Sequence, residues 1–157
     1  MHPTNLAAPL ADWPIVILLP VEWGNHDALQ HVNNIIYFRW CESARIEYLE
    51  ELGLWGMIEK DRVGPILAAI GCNYRRPVTY PDQIQVGARI TRLGRTSFTM
   101  EHLIYSEAQQ EVVADASSTA VVFDYRSQSP IPIPDAMRRK IEQMEGKSLS
   151  SDVTRAP

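Results

Sequence analysis

Apolar and polar positions follow different periods in successive parts of this chain. Ile15 to Trp23 is apolar and rich in β-branched residues, which predicts a strand. Pro20 within it removes one ladder donor, so this strand belongs at a sheet edge or carries a bulge. Further on, Ile36, Trp40, Ala44 and Tyr48 recur every fourth residue, with Phe38, Cys41, Leu49 and Leu52 beside them. That spacing predicts one long helix with a broad buried face, capped by Asn33 or Asn34, running to about Leu52 and stopped by Gly53. Beyond residue 64 the pattern becomes that of four strands, 64–78, 83–94, 97–107 and 112–126. Turn signals at Pro81-Asp82, Gly94 and 108–110 separate them. Phe98, Met100 and His102 interleave with Thr99 and Glu101, the alternation of a strand with one buried face. Pro134 opens a short last helix to about Met144, since proline suits a first helical turn.

The order is therefore strand, long helix, four strands, short helix. Loops alone cannot cover one long helix, so the economical arrangement is α+β: a five-stranded antiparallel sheet wrapped around the helix. A single domain is expected over 15–145, preceded by an extended segment at 1–14 and followed by a small, polar tail at 146–157 without fixed structure. Such a sheet leaves an edge strand open, and pairing with a second copy is the usual remedy. At least a dimer is expected.

Composition narrows the function classes. The 157 residues suffice for one real core. A net charge of -4 gives no general attraction to nucleic acid or to an anionic membrane. Cys41 and Cys72 are too few for a disulfide framework and read as free thiols in a reducing cytoplasm. The N-terminal residues lack the basic start and apolar core of a signal peptide. The run Ile15–Leu19 is too short to span a bilayer.

The chemistry concentrates in residues 23–34, WGNHDALQHVNN, a dense polar stretch between two apolar segments. His26 and His31 lie five apart without further ligand spacing, so no metal is expected. Cys41 sits between Trp40 and Glu42 with no adjacent base to activate it. Glu42 and Arg45, three apart on one helix, suit a structural ion pair. A helix start carries unpaired N–H groups and partial positive charge, which can polarise a carbonyl oxygen at Asn34. Asp27, seven residues earlier, could attack the same carbon or activate water. Capping and loop scaffolding account for the same residues in a purely structural way.

The stretch VEWGNHDALQHVNNIIYFRWCESAR, residues 21–45, resembles the signature of hot-dog-fold acyl-CoA thioesterases of the 4-hydroxybenzoyl-CoA thioesterase-like branch. The DxxQHVNN form is similar to that of bacterial long-chain acyl-CoA and plant acyl-ACP thioesterases. The likeness extends weakly through YRRPVTYPDQIQV and RLGRTSFTMEHLIYS, over roughly residues 15–143. It implies a hot-dog fold, a dimer or dimer of dimers, and an active site at the subunit boundary. It implies hydrolysis of acyl-CoA, or of acyl-ACP, with coenzyme A as part of the substrate and no separate cofactor. The catalytic aspartate falls on Asp27, with His31 and Asn34 beside it. Asn33, Gln30 and Tyr37 become substrate contacts, and Arg76, Arg95 and Ser97 become contacts to the nucleotide end, with Arg75 and Arg92 as further candidate cations for its phosphates. The chain departs from some relatives in having Asn25 where an acidic residue can stand and Gln30 where glycine is common. The hot-dog fold also serves acyl dehydratases and acyl-thioester binders, which remain as alternatives.

Overall fold

A computed structural model describes residues 5–149. Strand β1 (Ile15–Pro20) leads through a polar loop to helix α1 (Asn34–Glu51). A second helix, α2 (Leu54–Asp61), precedes strands β2 (Val63–Tyr74), β3 (Gln83–Leu93), β4 (Ser97–Ser106) and β5 (Glu111–Asp124). A two-residue strand, β6 (Ser129–Pro130), and helix α3 (Asp135–Glu145) complete the order. The sheet runs β1-β3-β4-β5-β2, antiparallel at every pairing, with β6 on β5. This is the expected wrapped antiparallel sheet. Pro20 pairs opposite Gln83 at the end of edge strand β1, where its missing donor costs no interior ladder bond.

The core lies between α1 and the inner sheet face. Tyr37, Trp40, Cys41, Ala44, Tyr48 and Leu49 form the buried stripe of α1. They meet the inward positions of the sheet, among them Ile84, Val86 and Ile90 of β3 and Phe98, Met100 and Ile104 of β4, all 0 or 1% exposed. At roughly 25 cal/mol per Å² of apolar surface removed from water, this packing dominates what holds the helix in its trough. Inward positions of the sheet include polar residues, His102, Ser106 and Ser118. His102 is 1% exposed, and its Nε2 lies 3.4 Å from Ser118 Oγ. Burial, reinforced by the Arg45 guanidinium, holds its pKa down at about 4, so the ring is neutral near pH 7. Arg45 is itself buried on α1, 4.0 Å from Glu42 Oε1. The pair is the one expected, but loose, and Nη1 of Arg45 has no partner among the described residues.

Several segments differ from expectation. The stretch after Gly53 forms α2, bounded by left-handed residues Gly53 (φ 87°) and Arg62 (φ 55°). Pro134 is the N-cap of α3 rather than its first-turn residue. The N-terminal segment turns through a short 3-10 helix at Ala8–Leu10 and lies across the outer face of β3. Leu10 is fully buried there, and Gln85 ties the strand to the segment by accepting the Ala7 N–H at 2.9 Å and donating to the Asn5 carbonyl at 2.9 Å. Arg89 stacks over the Trp13 ring at 4.3 Å. Of the tail, residues 146–149 fold back on α3: the Leu149 N–H donates to Glu142 Oε1 at 2.9 Å, and the Leu149 side chain is buried. The rest of the tail, 150–157, and residues 1–4 lie outside the described residues.

Candidate active site

The polar loop between β1 and α1 is pinned at both ends to the segment before β3. Val21 N–H donates to the Asp82 carbonyl, and Val32 N–H donates to the Val78 carbonyl, each at 2.9 Å. The Tyr80 N–H donates to His26 Nε2 at 2.8 Å, which fixes that ring as an acceptor within the scaffold and not as a ligand. Asn25 is also structural: its Oδ1 accepts the Glu22 N–H at 2.8 Å and its carbonyl accepts the Asn33 N–H at 2.8 Å.

Inside this frame Asp27 heads a tight turn. Its carbonyl accepts the Gln30 N–H at 3.0 Å, and its own N–H donates to the His31 carbonyl at 2.9 Å. The turn closes because Gln30 takes a left-handed conformation, φ 64°. Oδ1 of Asp27 accepts the Leu29 N–H at 2.8 Å, an Asx turn that orients the carboxylate. Oδ2 has no hydrogen-bond partner among the described residues.

Helix α1 begins where the loop ends. Asn33 caps it, its Oδ1 accepting the Ile35 N–H at 3.0 Å and its carbonyl the Ile36 N–H at 2.9 Å. The Asn34 N–H is left without a partner among the described residues, at the positive end of an 18-residue helix. Asp27, His31 and Asn34 line one open cleft of about 380 Å³ together with Tyr37, Tyr74 and Arg76. The carboxylate and the helix tip thus face one volume.

The predicted site residues divide three ways. Asp27, His31, Asn34 and Arg76 reach the cleft. Tyr37 reaches it too, but is only 3% exposed, and burial pushes its phenol up to about 12, so it forms the floor. Asn33 and Gln30 are not brought to the cleft: Asn33 spends its side chain on capping, and Gln30 is exposed on the turn. Arg95 and Ser97 lie in the β3–β4 hairpin, while the Asp27 loop is bonded to the segment before β3. The 11 residues of β3 separate the two ends by roughly 35 Å, so within one chain they do not share this cleft.

Arg75, one of the candidate cations, also lines the cleft, and so does Tyr74, which was not anticipated. Tyr74 ends β2 and Arg75 follows it; the tertiary pairing of that strand with β5 carries both to the helix start, so no local pattern marks Tyr74. Arg75 pairs with Asp115 at 2.6 Å and Arg76 with Glu111, although more than half of each arginine side chain stays exposed. Cys41 is fully buried, and desolvation pushes its thiol up to about 12, which leaves no thiolate for catalysis near neutral pH.

Fold and loop together bring a carboxylate and a helix start to one open cleft. The chain belongs to the thioesterase-like superfamily, whose sequence profile matches residues 21–141. It is 32% identical over 122 residues to the long-chain acyl-CoA thioesterase FadM of Escherichia coli, covering 77% of this chain and 92% of that protein. Among solved structures it is similar to a thioesterase from Thermus thermophilus in complex with coenzyme A and zinc. That likeness has a TM-score of 0.78 and 30% identity, over 88% of this chain and 99% of the other. A thioesterase-superfamily protein from Jannaschia overlays with a TM-score of 0.80 at 25% identity, over 96% and 99%. These likenesses identify the hot-dog fold and place the chain among thioester hydrolases.

Proposed function

We propose that this protein hydrolyses acyl-CoA to free acid and coenzyme A, with Asp27 as the reacting carboxylate and the Asn34 N–H as the donor that polarises the thioester carbonyl. The observation that carries the reading is the sharing of one cleft by an oriented carboxylate with a free oxygen and an unpaired helix-tip N–H. The carbonyl oxygen accepts from the helix tip, where negative charge developing in the tetrahedral intermediate is stabilised. Asp27 then acts in one of two ways. Attack by Oδ2 on the carbonyl carbon expels the thiolate and forms a mixed anhydride that water cleaves. Alternatively Oδ2 takes a proton from water, whose oxygen attacks instead. Either route yields acid and thiol. Arg75 and Arg76 stand at the cleft as cations for the phosphates of the carrier, exchanging their present carboxylate partners for phosphate.

A second copy of the chain belongs to this reading. The outer edge of β2 has no strand partner among the described residues, and Ile66 and Leu67 on it are 37% and 42% exposed. Pairing two β2 edges would bury both and continue the sheet across the boundary. Light scattering on the purified chain tests this: a dimer or dimer of dimers is expected, and a stable monomer at micromolar concentration overturns it.

The function itself is tested by free-thiol release from a panel of acyl-CoAs, with Asp27→Asn as the control. Asparagine keeps the oxygen that accepts the Leu29 N–H but can neither attack nor serve as base. A fall in kcat/KM of about 100-fold or more at unchanged melting temperature is expected. Retention of activity within a few-fold overturns the role of Asp27. Tight binding without thiol release by the wild-type chain overturns hydrolysis in favour of an acyl-thioester binder.

A further inference from the structure

We propose that Tyr74 determines selectivity for the acyl group, its ring forming the wall that meets the carbons next to the thioester carbonyl. This rests on the hydrolytic reading above and adds a part to it.

A carbonyl carbon set between Asp27 and the Asn34 N–H has two substituents, the sulfur with its carrier and the acyl chain. The cleft offers them unlike surroundings. The guanidinium groups of Arg75 and Arg76 suit a phosphate-bearing carrier. The rings of Tyr37 and Tyr74 suit carbon. Between these two rings the division of labour is clear. Their centroids are 5.0 Å apart at 90°, an edge-to-face contact. Tyr37 is 3% exposed and backs onto Trp40 at 5.0 Å, so it buttresses. Tyr74 is 47% exposed, so its ring is the one a ligand meets.

The Tyr74 ring is also held. Its hydroxyl donates to the Asn34 carbonyl at 3.3 Å, tying the end of β2 to the first turn of α1. The residue that presents the polarising N–H and the ring that meets the acyl group are thereby joined by one hydrogen bond. An acyl group that packs well on the ring is seated where the carbonyl reaches the helix tip. One too short to reach the ring gains nothing from it. Tyr74 thus favours acyl groups with several carbons over acetyl.

The test compares the wild type with Tyr74→Phe and Tyr74→Leu, each measured on acetyl-CoA and on a series of longer and aromatic acyl-CoAs. Tyr74→Phe keeps the ring and loses the hydroxyl that ties it to Asn34. It is expected to retain the order of substrate preference, with all rates lowered together. Tyr74→Leu keeps apolar bulk but loses the ring. It is expected to lower kcat/KM for the longer and aromatic substrates by about tenfold more than for acetyl-CoA, the size of an aromatic contact. An equal fall on every substrate in Tyr74→Leu, or an unchanged profile, overturns the selectivity role and leaves the hydrolytic reading intact. Failure of the wild type to hydrolyse any of them overturns both.

Discussion

The Tyr48 hydroxyl donates to Oε1 of Glu145 at 2.7 Å, and the same oxygen accepts the Ile90 N–H at 2.6 Å. One carboxylate oxygen on the last turn of α3 thus joins the central helix to β3, next to the register shift between Ile90 and Arg92. Ile90 lies beyond the last β1–β3 pair, Ile15 with Ala88, and Glu145 supplies the acceptor for its N–H. Glu145→Ala removes it for both donors. A loss of about 1–3 kcal/mol in urea unfolding is expected, against about 1 kcal/mol for Tyr48→Phe, which removes a single bond.

Asn33→Ala should separate capping from substrate contact. The side chain accepts the Ile35 N–H and is the cap of α1. Its loss should lower stability by about 1 kcal/mol. Because the same cap fixes the turn that presents the Asn34 N–H, kcat should fall as well, with little change in KM. Asn33→Asp, which caps equally well, should restore stability. Denaturation and steady-state kinetics on the two variants check this.

His102 makes stability depend on pH. Its folded pKa is about 4, below the ordinary value of 6.5, because burial and the Arg45 guanidinium disfavour the charged ring. Between these values the unfolded chain binds a proton that the folded chain does not. Stability from this group is therefore complete above pH 6.5 and declines as pH falls toward 4, by about 3 kcal/mol in all. His102→Gln should flatten the part of the pH dependence in that window. Urea unfolding of both chains at pH 7 and pH 4.5 measures the difference.

Gly87 lets the N-terminal segment lie flat on β3. A Cβ at this position would stand 2.6 Å from Leu10 Cδ2 and 2.7 Å from Cε3 of Trp13. Gly87→Ala should lift the segment, exposing Leu10 and Trp13 while leaving the sheet paired. A red shift of tryptophan emission and faster proteolysis within residues 5–13 are the expected signs.

The large features of the fold could be read from periodicity. The four-residue recurrence from Ile36 to Tyr48 placed α1 nearly to its ends, because that face is buried along its whole length. The alternation in β4 was equally plain, since one face of that strand meets the core and the other does not. Helix α2 was not legible: it is eight residues long, contains Gly56 and buries only Leu54. The N-terminal segment escaped for a similar reason, because its single fully buried residue, Leu10, creates no period. At the site, Asp27 and Asn34 were marked by the local chemistry of a turn and a helix start. Tyr74 was not, since a strand forty residues away reaches α1 only through sheet pairing.

Gln30 holds a backbone geometry that glycine adopts without strain, and it does so with its side chain directed to solvent. The loop shape is therefore kept by the bonds from Asp27 to Gln30, Leu29 and His31 rather than by any preference of the residue at the bend. That makes position 30 a tunable surface beside the Asp27 carboxylate. Side chains there can be exchanged to alter what approaches the cleft, while the carboxylate itself stays where the turn has set it.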